Sequence, residues 1–241
     1  MKDNSSASTN SHRFLVLMPG FGCNSKIFEK LQLPVGTIVN LEWITPTNNE
    51  PIQSYADRLI TDEMRVGAEV ILIGHSFGGV IVQEIARIIP VKQIILISSI
   101  TSNEGLSKGL NLVRNLRLDI WVHKFTMKGT FWMWGKSSGL KDEMKPIFME
   151  SFNNIENKYY RWAVKNLAGW EQTLPNDLSP ILIHGSEDTV FPIERAQNPI
   201  VVENGGHLMV YFKAEEISKI LKEIIIDEIT IEEKDTNIPS E

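Results

Sequence analysis

The sequence predicts an α/β fold: a mostly parallel central sheet flanked by helices, with a helical insertion before its last strands. Three observations predict it. Short apolar runs of the kind found in buried strands alternate with stretches of helical spacing, the pattern of a parallel sheet covered on both faces. One such unit is a strand, a sharp turn and a helix with nothing between them: Val70-Ile71-Leu72-Ile73, then Gly74-His75-Ser76-Phe77-Gly78-Gly79, then an apolar helical run to Ile89. Residues 101–175 break the rhythm, with amphipathic helical stretches, no convincing strand, and five of the six tryptophans.

Residues 1–12, rich in Ser and Asn, read as a disordered leader. Phe14–Met18 is a buried strand closed by the tight loop Pro19-Gly20-Phe21-Gly22. Ser25–Leu31 opens a helix, Thr37–Trp43 is a second strand, and Pro46–Pro51 is a turn region. Ser54–Ile60 has helical spacing and a Ser/Asp start. Val70–Ile73 is the strand of the Gly74 turn, Val80–Ile89 its helix, stopped by Pro90, and Gln93–Ser98 the next strand. Amphipathic helices are predicted at Leu106–Leu118, Leu140–Phe152 and Glu156–Leu167, which together read as a lid over the sheet. Ile181–Gly185 and Pro199–Glu203 resume the strands, and Leu208–Ile226 is the final helix. The expected organisation is a leader at 1–12, an α/β core at 13–100 and 176–226, a helical cap at 101–175, and an acidic tail at 227–241.

The 241 residues, 42% hydrophobic and 22% charged, suit one globular domain with an insertion. From Asp227 onward six acidic residues face only Lys234, so most of the net charge of −6 sits in the tail. The near-neutral body carries no electrostatic footprint for nucleic acid. Cys23 is the single cysteine, so no intrachain disulfide forms, and a reducing compartment fits. It is expected to be a small packing residue rather than a second nucleophile. No apolar signal segment opens the chain and no run approaches the about 18 apolar residues that span a bilayer. The expectation is a cytoplasmic protein without a membrane partner, a monomer or a homodimer. The scattered histidines predict no metal site, and Gly20-Phe21-Gly22 lacks the third glycine of a dinucleotide fingerprint, so no cofactor is expected.

The chemistry concentrates on Ser76. In a strand–turn–helix, the central serine of G-x-S-x-G is held on a strained backbone, with its hydroxyl above the sheet edge at a helix N-terminus. Gly74 and Gly78 flank it because side chains there would strike neighbouring backbone. A serine hydroxyl needs a base within hydrogen-bond reach and a third group to orient that base. Of five histidines, His12 lies in the leader, His123 in the insertion, His75 inside the turn pointing away, and His184 at a packed strand end. His207 follows Glu203-Asn204-Gly205-Gly206 between the last strand and the last helix, where functional groups collect in parallel sheets. The orienting acid is Asp188 in Gly185-Ser186-Glu187-Asp188, with Glu187 the alternative. Backbone N–H groups of Phe77 and Phe21 are the expected oxyanion donors.

With Gly20-Phe21-Gly22, Gly74-His75-Ser76-Phe77-Gly78-Gly79, Gly185 to Pro192 and Gly205-Gly206-His207, the chain resembles the α/β-hydrolase superfamily from about Arg13 to Ile226. Its size and helical cap look like the small carboxylesterases, including the biotin-pathway methyl esterase group. One departure is Pro19-Gly20, where members usually carry His-Gly. The resemblance implies a cofactor-free serine hydrolase acting on a small-molecule ester. Thioesterase, carbon–carbon bond hydrolase and slow-turnover receptor remain alternatives on the same residues. Ser76 argues against the dehalogenases and epoxide hydrolases, which use aspartate. The aromatic insertion residues Phe125, Trp132 and Trp134 are expected to line an apolar substrate pocket.

Overall fold

The computed structural model describes residues 13–34, 36–65, 69–106, 112, 142–171, 174 and 178–235. Six strands form one all-parallel sheet: β1 (Arg13–Met18), β2 (Thr37–Asn40), β3 (Glu69–His75), β4 (Gln93–Ile97), β5 (Ile181–Gly185) and β6 (Ile200–Val202), in the spatial order β2-β1-β3-β4-β5-β6. Alternation of side chains across the pleat divides the core into two layers. Val16, Met18, Val70, Leu72, Ile94, Leu96 and Leu182 face one layer. Leu15, Leu17, Ile71, Ile73, Ile95, Ile97 and Ile183 face the other. Strands buried on both faces must be apolar at every position, which is why they stand out as continuous runs.

The first layer is closed by α1 (Ile52–Leu59) and α3 (Phe77–Ala86), whose ten residues are all buried; the short α2 (Asp62–Arg65) lies between them in the chain. Each buried Val or Ile of α3 contributes roughly 1.5–3 kcal/mol against exposure. The second layer is closed by α6 (Met209–Phe212) and α7 (Ala214–Asp235). Between β4 and β5 the described residues form a 3₁₀ turn at Asn103–Gly105, a second at Asp142–Met144 running into α4 (Lys145–Asn154), and then α5 (Asn157–Gly169). Side chains tie these two helices to the body. Lys26 pairs with Glu150 at 2.5 Å, the Trp162 indole donates to the Glu50 carbonyl at 2.8 Å, and just past α5 the Trp170 indole donates to the buried Glu84 carboxylate at 2.7 Å.

Several boundaries differ from the sequence reading. The predicted helix at Ser25–Leu31 is a single 3₁₀ turn, Ser25–Phe28, capped by the Asn24 side chain. The strand predicted to Trp43 stops at Asn40 because β1, its only ladder partner, is itself ending there. Helix α3 begins at Phe77, three residues before predicted, since two glycines occupy its first turn. The final helix is interrupted at Lys213 and then runs past Ile226 to Asp235, through a stretch without Gly or Pro. The predicted helix at Leu106–Leu118 and the leader lie outside the described residues, Leu106 and Leu112 excepted.

The register aligns the carboxyl ends of the inner strands. Met18 pairs with Gly74, His75 with Ile97 and Ile97 with Ile183, so the segments that follow β1, β3, β4 and β5 emerge on one edge of the sheet.

Candidate active site

Ser76 sits at that edge with φ +54° and ψ −125°, a conformation that costs a non-glycine residue of order 1–3 kcal/mol. Surrounding contacts hold it there. The Ser76 N–H donates to the Ile97 carbonyl at 3.0 Å, and its carbonyl accepts from the Ser99 hydroxyl at 2.6 Å and the Gly79 N–H at 2.9 Å. The turn has no room for side chains on either flank. A Cβ on Gly74 would lie 2.5 Å from the Gly79 Cα, and one on Gly78 would overlap the Met18 and Pro19 carbonyl oxygens.

His207 and Asp188 are brought together by the loops after β5 and β6. The Glu187 N–H donates to the Gly205 carbonyl at 2.9 Å, the Ser186 N–H to the Val202 carbonyl at 3.0 Å, and the Asn204 N–H to the Ser186 hydroxyl at 2.8 Å. Gly185 and Gly205 touch so closely that a Cβ on Gly185 would overlap the Gly205 carbonyl. The result is a continuous chain: His207 Nε2 lies 2.8 Å from Ser76 Oγ, and Nδ1 lies 2.9 Å from Asp188 Oδ2 and 3.1 Å from Oδ1. All three residues are buried. Glu187, the alternative acid, is exposed to solvent.

Burial alone would raise the Asp188 pKa. The charge and hydrogen bond of His207, with backbone amides, outweigh it and hold the carboxyl below its ordinary value. Asp188 Oδ1 accepts from the Val190 N–H at 2.9 Å and the Phe191 N–H at 3.0 Å. The ionised carboxylate keeps the imidazole hydrogen on Nδ1, which leaves Nε2 as the acceptor for the Ser76 hydroxyl.

The other two predicted donors lie on segments that adjoin the serine. Phe77 is the first residue of α3, so its N–H has no intrahelical partner, and neither it nor the Phe21 N–H donates to a protein acceptor among the described residues. The Phe21 loop touches the serine, since a Cβ on Gly20 would stand 3.0 Å from the Ser76 Cβ.

The family model described as the alpha/beta hydrolase family matches residues 10–220. The chain belongs to this family. No curated protein sequence matches it. Among solved structures it is similar to a thermophilic esterase from Thermogutta terrifontis, with 14% identity, TM-score 0.60, and 89% of each chain covered. It is also similar to the epoxide hydrolase of Bacillus megaterium, with 14% identity, TM-score 0.63, and 89% of this chain and 93% of that one covered. MenH from S. aureus has 16% identity and TM-score 0.62, with 92% of this chain and 96% of that one covered. At these identities the likeness is one of fold, and the chemistry of this hydrolase has to be argued from its own residues.

Further residues support the hydrolase site that sequence patterns did not reveal. Ser99 fastens the Ser76 carbonyl. The Trp43 ring stacks on Phe77 at 5.4 Å, while its indole donates to the Gly20 carbonyl at 3.0 Å. His184 Nε2 donates to the Phe191 carbonyl at 2.6 Å, beside Asp188, which agrees with its expected packing role. His75, expected to point away from the nucleophile, reaches the base: its Nε2 donates to the His207 carbonyl at 2.9 Å. No local pattern announces these contacts, because most of them join segments far apart in sequence. Cys23 is buried, and burial pushes its thiol pKa far up, so it stays un-ionised and a poor nucleophile. Phe125, Trp132 and Trp134, the predicted pocket lining, lie outside the described residues, as do His12 and His123. No helix of the described residues is long and apolar enough to cross a membrane.

Burial, aided by the neighbouring His207, lowers the His75 pKa from 6.5 to about 3. Between those values the unfolded chain binds a proton there and the native state does not. The stability this site contributes is therefore complete above pH 6.5 and is lost progressively as pH falls toward 3, by about 1 kcal/mol per pH unit. His75→Gln keeps a donor for the His207 carbonyl and removes the titration. Thermal unfolding followed from pH 7 to 4 is expected to show a shallower loss of Tm in His75→Gln than in the wild type.

Proposed function

We propose that this alpha/beta hydrolase is a cofactor-independent serine hydrolase that cleaves carboxylic esters of small, largely apolar substrates through an acyl-enzyme on Ser76. The observation that carries this reading is the hydrogen-bonded chain from Ser76 Oγ through His207 to Asp188, anchored at a positive-φ serine.

Ser76 Oγ attacks the ester carbonyl carbon as His207 Nε2 takes its proton. The carbonyl π electrons move to oxygen, and the Phe21 and Phe77 N–H groups stabilise that oxyanion. Asp188, kept ionised, orients the imidazole and stabilises the imidazolium. When the tetrahedral intermediate collapses, the alkoxide leaves with the proton from His207, and the acyl group remains on Ser76. Water then gives its proton to Nε2 and attacks the acyl carbon. Collapse releases the carboxylic acid and returns the proton to Ser76. Every proton that moves passes through one nitrogen, so no metal or cofactor is needed for the balance.

The test is steady-state hydrolysis of p-nitrophenyl esters from acetate to decanoate. Continuous turnover with a maximum among the short-to-medium acyl chains is expected. A single stoichiometric burst without further release would instead mark a receptor-like protein that reacts once. No release from any ester would contradict the reading.

A further inference from the structure

Helix α5 presents two adjacent tyrosines, Tyr159 and Tyr160, whose side chains are fully buried and whose hydroxyls have no hydrogen-bond partner among the described residues. An unpartnered buried hydroxyl costs about 1–3 kcal/mol, and phenylalanine would fill the same volume without that cost. The same aromatic cluster contains a tyrosine that is fully partnered. The Tyr55 hydroxyl donates to the Ile44 carbonyl at 2.8 Å and accepts from the Ile44 N–H at 2.9 Å. The two orphaned hydroxyls therefore stand out against a neighbour whose polar needs the fold meets.

Their position is informative. Both rings lie against Phe21, Tyr159 stacked at 5.7 Å and Tyr160 edge-on at 5.7 Å. Tyr159 also contacts Trp43 at 5.0 Å, and Trp43 in turn stacks on Phe77. The pair thus packs directly on Phe21 and, through Trp43, on Phe77, the two residues whose N–H groups are proposed to hold the oxyanion. The Gly22 backbone N–H faces the Tyr159 hydroxyl oxygen and opposes the rise that burial gives its pKa, which sets that hydroxyl beside the same loop and leaves its own O–H free to donate. Burial raises both phenol pKa values, so both groups are protonated and available as donors.

We propose that Tyr159 and Tyr160 are specificity-determining residues whose hydroxyls donate to a neutral oxygen acceptor carried by the substrate near its scissile carbonyl. This rests on the serine-esterase reading and narrows it: the preferred ester bears a hydroxy, ether or oxo oxygen rather than a plain alkyl chain. The acceptor is neutral because the surrounding wall is Phe21, Trp43, Phe152 and Trp162, and an unpaired carboxylate among such rings carries a large desolvation penalty. A site that leaves donors unpartnered until the right ligand arrives rejects the ligand lacking the acceptor.

The probes are p-nitrophenyl methoxyacetate and p-nitrophenyl butyrate, which differ by one ether oxygen in place of a methylene. Substituting both tyrosines, Tyr159→Phe with Tyr160→Phe, is expected to lower kcat/KM for the methoxyacetate at least about ten-fold more than for the butyrate. It is also expected to raise the unfolding temperature, because two unpartnered donors are removed. The same pair is compared by equilibrium binding in the Ser76→Ala background, which does not depend on turnover. There the ether ester is expected to bind more tightly than butyrate only while the tyrosines are present. An unchanged preference in the folded double variant, by rate and by binding, overturns the proposal. No turnover of either ester, with the tyrosine-dependent binding preference intact, overturns the serine-esterase reading and leaves this assignment standing.

Discussion

Ser76→Ala is expected to lower kcat for p-nitrophenyl butyrate by about 10⁵–10⁶-fold, a loss of about 7–8 kcal/mol of transition-state stabilisation. The size follows from the geometry. Oγ lies 2.8 Å from an imidazole nitrogen whose ring is itself oriented by a buried carboxylate. Without it no covalent path exists, and only water held near the Phe21 and Phe77 amides can react. His207→Ala is expected to lose about as much, and the double variant little more, because nucleophile and base act as one unit. Additive losses would mean that the two residues serve separate steps. Steady-state rates of the three variants on one ester distinguish the two cases. The fold tolerates Ser76→Ala well, since Ala fits the space of Ser and the strained backbone is held by the Ile97 and Ser99 contacts rather than by the hydroxyl.

Gly78→Ala is expected to have the largest effect on folding. Its Cβ would overlap the Met18 and Pro19 carbonyl oxygens. Those atoms belong to the end of β1, where Met18 is in register with Gly74, so they cannot retreat without breaking the central ladder or opening the serine turn. Overpacking against backbone that cannot move costs more than the 1–3 kcal/mol typical of core overpacking. In a chain of this size each kcal/mol lowers Tm by about 2–4 °C, so a fall of about 10 °C or more is expected, or failure to accumulate folded protein. Gly169→Ala is the control. That glycine ends α5, and a Cβ there meets nothing within 4 Å. Its helix propensity is expected to gain about 0.5–1 kcal/mol. Scanning calorimetry of both variants checks the contrast, and equal destabilisation would contradict the account of the turn.

Much of this architecture is legible in the sequence, for a physical reason. Strands such as Val70–Ile73 and Ile94–Ile97 are buried on both faces, so nothing polar interrupts them, and glycines mark the places where backbones touch, as at Gly74, Gly78 and Gly205. The loops carrying Ser76, Asp188 and His207 could be read because parallel strands in register deliver their carboxyl ends to one edge. What escaped the sequence is what only distant packing creates. Asn40 ends β2 because its ladder partner runs out, not because of any residue in it. His75 looked idle because its partner is the carbonyl of a residue far along the chain. Tyr159 and Tyr160 fall within the predicted helix Glu156–Leu167, and neither their contact with Phe21 nor their unpartnered hydroxyls leaves a trace in local spacing.

The central claim is that Ser76 is the nucleophile, and the most direct measurement is to find the residue that becomes phosphonylated by a serine-directed reagent. The protein is incubated with a fluorophosphonate, whose phosphorus is attacked by an activated serine with loss of fluoride, and the modified peptide is located by mass spectrometry. The account predicts one adduct per chain, on Ser76, absent in Ser76→Ala and formed far more slowly in His207→Ala. An adduct on another residue, or equal labelling of Ser76→Ala, would contradict it.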